Sequence, residues 1–320
     1  MSRASRINCH RHQFGVSLVE LMVSIVVALL LIAGVIQVYL TTKQSYNAQA
    51  QLARMQESGR FAMDLITRDL RRAGFWGGNV DTTTIGGIPG RSVPPQNCSA
   101  GTAEDWATAI SWRVEGVDNG NAGYACATGY NADTDILAVR YAGPEPLATF
   151  ASDNTLFLRS TLFAGRIMRG NNESSNTLPP SAAGTPTHLL PQVRRLVANA
   201  YFIADSATDT CNGRPVPALH RLTLVPGGGI GVEEIAPGVE QLQVQYLLNN
   251  AYVDASAVGL NWPQVSAVRV WLLARSNCPE QGLDNPATFD IGNVSWPNAP
   301  DNFRRQLYVT TTMLRNTLVR

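Results

Sequence analysis

Residues Leu21 to Leu40 read LMVSIVVALLLIAGVIQVYL, twenty positions without a charge. An apolar helix of about 20 residues is what the roughly 30 Å hydrocarbon core of a bilayer requires, so the stretch predicts a membrane helix. No second stretch of this kind occurs in the chain. Arg3, Arg6 and Arg11 precede it with no acidic residue, and the positive-inside tendency then predicts a cytoplasmic N-terminus with everything after Leu40 exported. A cleaved secretory signal has an apolar core of about 7–15 residues followed by a small-x-small site. Here the run continues into Thr41, Thr42 and Lys43, and the nearby small pair, Ala33-Gly34, lies inside it, so the helix is expected to be retained.

The rest of the 320 residues are those of a folded protein. Hydrophobic residues make up 45%, too many for a disordered chain, and 25 basic residues against 24 acidic ones give no basic surplus for a polyanion. Nucleic acid is therefore not an expected partner. Five cysteines are an odd number for an exported protein, in which one thiol would be left unpaired.

The residues just before the apolar run carry more specific information. Phe14 to Met22 read FGVSLVELM, with Gly15 ahead of the hydrophobic stretch and a single carboxylate, Glu20, five residues later. Gly15-Val16-Ser17-Leu18-Val19-Glu20-Leu21 resembles the processing motif of type IV prepilins and of type II secretion pseudopilins. The resemblance implies that a prepilin peptidase cuts after Gly15 on the cytoplasmic side and methylates the new N-terminus at Val16, where Phe is usual. Residues 1–15 would then be a cytoplasmic leader. Glu20 also has a physical reading of its own: a carboxylate at the bilayer centre costs roughly 2.5–3.5 kcal/mol, less near a helix end, and needs a partner. After cleavage it stands four residues, about 6 Å, from the Val16 amine, and the amine of a neighbouring subunit would neutralise it and set an axial register. A carboxylate that merely reaches back to the interface is the alternative.

Cleavage would change the composition. Losing three arginines leaves 22 basic residues against 24 acidic, a net charge of −2, and losing Cys9 leaves Cys98, Cys126, Cys211 and Cys278. In an oxidising compartment four cysteines are expected to form disulfides. Three connectivities are open; shorter loops favour Cys98 with Cys126 and Cys211 with Cys278. No Cys-x-x-Cys or His-x-x-x-His spacing suggests a metal, and nothing implies a cofactor.

The helix is expected to continue beyond the membrane. Between Thr41 and Ala73 there is no Pro and one Gly, and Ala48, Leu52, Met55, Gly59, Ala62, Ile66, Leu70 and Ala73 recur at spacings of three and four, one stripe of a helix. Glu57, Arg60, Asp64, Arg68 and Arg71 fall opposite. Gly74 supplies the stop. This divides the chain into a leader (1–15), a transmembrane half of a stem helix (16–40), an amphipathic half (41–74) and an exported domain (75–320). The stripe suits either a globular domain of the same chain or a coiled-coil seam.

Beyond residue 75 the pattern is that of strands: Ile136–Tyr141, Thr155–Arg159, Leu196–Ala204, Arg221–Val225, Leu242–Leu248, Ala267–Leu273 and Gln306–Leu314. Leu242, Val244 and Tyr246 alternate with Gln241, Gln243 and Gln245, as in a sheet with one buried face. Gly227–Gly231 and Asn249-Asn250 read as turns, while Thr82–Gly129 and Gly170–Thr187 read as long surface loops. The expected fold is α+β, a long stem helix packed on an antiparallel sheet, the lollipop form of pilins.

Gln56 to Leu65, Asp69 to Phe75, Val239 to Tyr246, Val268 to Ser276 and Thr310 to Asn316 resemble the PilW group of minor pilins. That resemblance implies a structural subunit for assembly, priming and the tip of a type IV pilus. Its implied partners are the prepilin peptidase, other minor pilins and the major pilin, a tip adhesin of the PilY type and the inner membrane. It would be a single-pass inner-membrane protein before assembly and part of the extracellular pilus, at its tip, afterwards. A secretion pseudopilin of the J class and a membrane-anchored periplasmic binding protein are the competing readings. Enzymatic signatures are missing: outside the leader only His188 and His220 remain, with no Gly-x-Ser-x-Gly and no His-Glu-x-x-His. Asp133-Thr134-Asp135 offers oxygens to a calcium ion but reads more simply as a turn. His220 is expected to be packed, and Trp106, Trp112, Trp262 and Trp296 would make either a partner surface or part of a core.

Overall fold

The computed structural model describes residues 15, 17–86, 105–171, 190–280, 282–297 and 301–316. Helix α1 runs Leu18–Arg72. The chain divides into two compact units, Met1–Ala50 and Gln51–Arg320. The first unit is represented by the first half of α1 alone.

The second unit begins with the rest of α1, which stops where Gly74 adopts φ 76°, a backbone conformation costly for any residue with a Cβ. Fourteen strands follow: β1 (Ile85–Gly86), β2 (Val114–Val117), β3 (Ile136–Ala142), β4 (Leu156–Ser160), β5 (Gly165–Arg169), β6 (Gln192–Cys211), β7 (Arg214–Leu224), β8 (Ile230–Pro237), β9 (Val239–Leu248), β10 (Ala251–Asp254), β11 (Ala267–Arg275), β12 (Phe289–Ile291), β13 (Val294–Trp296) and β14 (Arg305–Met313). Short helices α2 (Asp105–Thr108) and α3 (Ala255–Val258) lie between them. Where one sheet is expected, the described strands form two large sheets and a two-stranded ribbon, β12-β13. Eight strands form a mixed sheet in the order β1-β5-β4-β6-β3-β2, with β7 beside β6 and β8 beside β7; four form a second, in the order β10-β9-β11-β14. The β1–β5 pair is parallel, the other pairs antiparallel. Asn249 and Asn250, both at positive φ, turn β9 into β10, the residue type that tolerates that geometry best after Gly.

One face of the second half of α1 packs against both large sheets, while Arg60, Phe61 and Asp64 on its other side are exposed. Ala62, Ile66, Leu70 and Ala73 share one core with Leu137, Val139 and Ile203 of the large sheet and with Leu242, Val244, Val268 and Val270 of the small one. The stripe is therefore occupied by this chain's own sheets. Alternate residues of β3 and β6, among them Ile136, Ala138, Leu196 and Phe202, point to a second core on the far face of the large sheet, with Trp106, Ile110 and Tyr124. That second core corrects the reading of Thr82–Gly129 as surface loop: the described part from Trp106 to Ala127 covers the sheet, and Trp106 and Tyr124 are fully buried. The glutamines of β9 are a second correction. Gln241 and Gln243 are buried, and both donate to the Asp133 carbonyl, so β9 is covered on both faces. The Gly170–Thr187 loop falls largely outside the described residues.

Candidate functional site

Taken alone, the Leu21–Leu40 stretch of α1 is apolar nearly all round. Leu21, Ile25, Leu29, Ile32 and Ile36 are more than half exposed, as are Met22, Val26, Leu30 and Leu31. A helix without a polar face belongs in lipid or among other apolar helices, because water would have to cover every side. Its hydroxyls make no demand on that environment: Ser24, Thr41 and Thr42 each donate to the carbonyl four residues earlier, those of Glu20, Gln37 and Val38. Glu20 lies in the first turn with its side chain exposed. No atom of the described residues lies within 4 Å of where a Cβ on Gly15 would stand, and its φ is not in the left-handed range, so nothing in the described packing or in the backbone geometry requires glycine there. Val16 lies outside the described residues.

The Gln51–Arg72 half is held by polar contacts that the amphipathic pattern does not announce. Asp69 is buried among apolar neighbours. Its Oδ1 accepts from the Tyr141 hydroxyl at 2.8 Å, and its Oδ2 from the Tyr201 hydroxyl at 2.7 Å and from Asn199 Nδ2 at 2.5 Å. Thr223 then donates to Asn199 Oδ1. Burial and the neighbouring Asp69 charge push both tyrosine hydroxyls well above their ordinary range, holding them as donors. One helical carboxylate thus gathers β3, β6 and, through Asn199, β7. Ten residues earlier, Gly59 permits a second close approach: a Cβ there would overlap the Tyr308 ring of β14, whose hydroxyl donates to the Gln56 carbonyl at 3.3 Å.

Three further polar clusters fix the second unit. Arg140, fully buried on β3, donates to the Trp106 carbonyl, to the Trp112 carbonyl at 2.6 Å and to Glu115, so one guanidinium pins the segment that covers the second core. Arg305 grips Asp301 through two contacts of 2.6 Å and donates to Glu240; those contacts hold the Asp301 carboxyl below its usual range. Asp135 accepts from the backbone N–H of Asn119 at 2.9 Å and of Val244 at 2.7 Å, while burial pushes its pKa from 3.8 to about 7.

Cys211 and Cys278 are bonded, joining the end of β6 to the segment after β11 across 67 residues. Closing a loop of that size restrains the unfolded chain by about 4 kcal/mol in the loop-entropy picture. Cys126 is disulfide-bonded; Cys98 lies outside the described residues.

Ser206 donates its hydroxyl to Glu234 at 2.9 Å, and His220 Nε2 lies 3.9 Å from the same carboxylate. His220 is buried on β7, its Nδ1 3.1 Å from the Ala218 carbonyl and its ring beside Phe202; His188 lies outside the described residues. The Asp133-Thr134-Asp135 turn is occupied by its own contacts: Thr134 donates to the Asn131 carbonyl, Tyr130 to that of Thr134, and the glutamines of β9 to that of Asp133. No group of three or more His, Cys, Asp or Glu suited to a metal occurs among the described residues. Trp106, Trp112 and Trp262 are core residues, which removes the tryptophan surface; Trp296 alone of the four is half-exposed.

Comparison with known proteins agrees with the two ends of the chain. Residues 200–316 match the family described as Type IV Pilus-assembly protein W, and residues 10–36 match the Prokaryotic N-terminal methylation motif. No curated protein matches. Among solved structures, a type IV-like pilin from Thermus thermophilus is 16% identical, with 58% of this chain and 80% of that chain covered at a TM-score of 0.29.

Proposed function

We infer that this chain, a type IV pilin of the PilW family, is a minor subunit that is cut after Gly15 and enters a pilus through the first half of α1. The observation that carries the reading is Gly15 itself. A glycine with open space around it and no positive φ answers to no need of the described packing, whereas a peptidase that must bring its catalytic groups to the backbone gains from a missing side chain. Directly after it come Glu20 and twenty uncharged residues with every face exposed, a surface suited first to lipid and then to the apolar helices of neighbouring subunits.

In this reading Arg3, Arg6 and Arg11 hold the leader in the cytoplasm, and the chain crosses the inner membrane once with its second unit exported. Cleavage leaves Val16 as the methylated N-terminus and Glu20 to be neutralised by the amine of an adjacent subunit. The Gln51–Arg72 half and its two sheets form the exported domain, which meets other minor pilins, the major pilin and a tip adhesin. The bulk of that domain suits a low-copy position at the pilus tip. The sheets of the second unit are held by apolar burial and by polar clusters such as that around Asp69, an arrangement suited to a structural role.

The test is the mass of the membrane-extracted protein in cells with an active prepilin peptidase, together with a Glu20→Ala variant. Loss of residues 1–15, and an alanine variant that is cut normally yet absent from sheared pili, are the expected results. Retention of residues 1–15 overturns the pilin reading; normal incorporation of the alanine variant overturns the register role alone.

A further inference from the structure

Sheet ends expose unpaired backbone groups and are normally blunted. In this domain the strands that end a sheet are protected in recognisable ways, except at one place. β1, β2 and β10 are two to four residues long. β8 carries Glu233 and Glu234, a register shift against β7 and a terminal Pro237. β14 has none of these devices. It runs nine residues in unbroken register with β11, with no Pro and no charge after Arg305.

The hydrogen-bond phase of β14 shows which groups are unmet. Leu314 N–H donates to the Ser266 carbonyl, so in an antiparallel ladder the even positions face β11, and Leu307, Val309, Thr311 and Met313 turn their N–H and C=O to the open edge. No described residue pairs with that edge. The side chains of the same four residues lie on the outer face of the sheet. Val309 is 52% and Met313 70% exposed. Beside them, Arg269 is stacked 3.8 Å from the Tyr252 ring centroid and 5.7 Å from that of Trp271, and Trp271 sits opposite Val309 in register. Half-exposed Trp, Tyr and Arg beside exposed apolar residues make the composition of binding hot spots.

The charge around the edge selects the occupant. Residues 305–316 hold no acid, and with Arg305 committed to Asp301 and Glu240 the free charge of this segment is that of Arg315. Arg315 and Arg60 are exposed, and the Arg60 charge acts on the Tyr308 hydroxyl, which faces α1. Of the acids on this part of α1, Asp64 is engaged with Arg68 at 3.1 Å and Glu57 lines a separate cleft with Asp209 and Asn277. Pairing β14 with β14 of a second copy would set two basic edges against each other, an unfavourable arrangement.

We propose that β14 is the docking edge for an extended strand of a different protein, apolar in the side chains that lie beside Val309 and Met313 and acidic in those turned toward Arg60. Main-chain pairing to Leu307, Val309, Thr311 and Met313 supplies the affinity, and the alternate side chains supply the selectivity. The proposal rests on the sheet alone and stands whether or not the chain is cut after Gly15.

The test uses full-length protein in detergent, a designed extended peptide of alternating Val and Glu, and a second peptide in which Lys replaces Glu. Hydrogen exchange at the amides of β14 is the readout. Addition of the acidic peptide is expected to protect the amides of Leu307, Val309, Thr311 and Met313 and leave the even positions, already bonded to β11, unchanged. Thr311→Pro removes one outward N–H at a site where an edge strand tolerates proline, and is expected to weaken peptide binding at least tenfold. Val309→Lys, a charge on the outer face, is expected to do the same if the proline variant fails to fold. Absence of protection at millimolar acidic peptide, equal protection by the lysine peptide, or protection that appears on concentrating the protein without peptide each overturns the proposal.

Discussion

The two halves of α1 share one hydrogen-bonded backbone and differ in what their side chains need. From Leu18 to Ala50 no side chain is buried, and Gly34, like Gly15, has open space where a Cβ would be. From Gln51 to Arg72, Met55, Ala62, Ile66 and Leu70 are buried, Gly59 is pressed by Tyr308, and Asp69 serves as acceptor for three groups of the large sheet. A glycine or a carboxylate in the second half answers to this chain's own packing, while in the first half no packing among the described residues accounts for Gly15, Gly34 or Glu20. Composition alone therefore does not say what a residue is for; what covers it does.

The comparison can be broken most directly at Asp69. Asp69→Ala leaves two phenol hydroxyls and an amide without their acceptor in a dry core, and is expected to destabilise the second unit by roughly 3–5 kcal/mol in denaturant unfolding. Glu20→Ala should leave that unfolding transition unchanged. A loss below about 1 kcal/mol at Asp69 would mean that water reaches the cluster.

A second difference is one of pH. The Asp135 carboxyl is raised from 3.8 to about 7 by burial, so between these values the folded domain holds a proton that the unfolded chain has released. Stability from this group is fully present below about pH 4 and is lost as pH rises toward 7, with a ceiling of about 4 kcal/mol from the size of the shift. Asp135→Asn is expected to flatten this part of the stability–pH curve; an unchanged slope would show that the two backbone donors keep the carboxylate ionised throughout.

The smallest effect compares two glycines. Gly59→Ala forces the Tyr308 ring away from α1 and is expected to cost about 1–3 kcal/mol. Gly34→Ala, with nothing to strike, should leave domain unfolding unchanged within about 0.5 kcal/mol. Equal effects would mean that Tyr308 swings aside without cost.

Much of the fold was legible because its signals are local. The membrane run, the helical stripe ending at Gly74, and the seven expected strands in β3, β4, β6, β7, β9, β11 and β14 all follow from periodicity and residue type. The failures share one cause, which is distance along the chain. Thr82–Gly129 is rich in Gly, Asn and Thr and reads as loop, yet Trp106 and Tyr124 within it pack on β3 and β6, and Arg140 holds the segment in place from 28 residues beyond Trp112. Gln241 and Gln243 alternate as a solvent face should, until Asp133 closes over them. Asp69 reads as a resemblance to a family and not as a buried hub, because its donors lie 72, 130 and 132 residues away.

The sequence by itself determined the long apolar helix, its basic flank, the Gly15–Glu20 motif and the α+β class, since these depend on hydrophobicity, charge and period within a few turns or strands. Tertiary structure decided that two large sheets form, that one face of the second half of α1 packs against both, that Cys211 is joined to Cys278, and that β14 is left as an edge no described residue pairs with. Each of these is a relation between residues far apart in sequence, and pairing of that kind is set by which surfaces close against one another when apolar area leaves water and every buried polar group finds a partner.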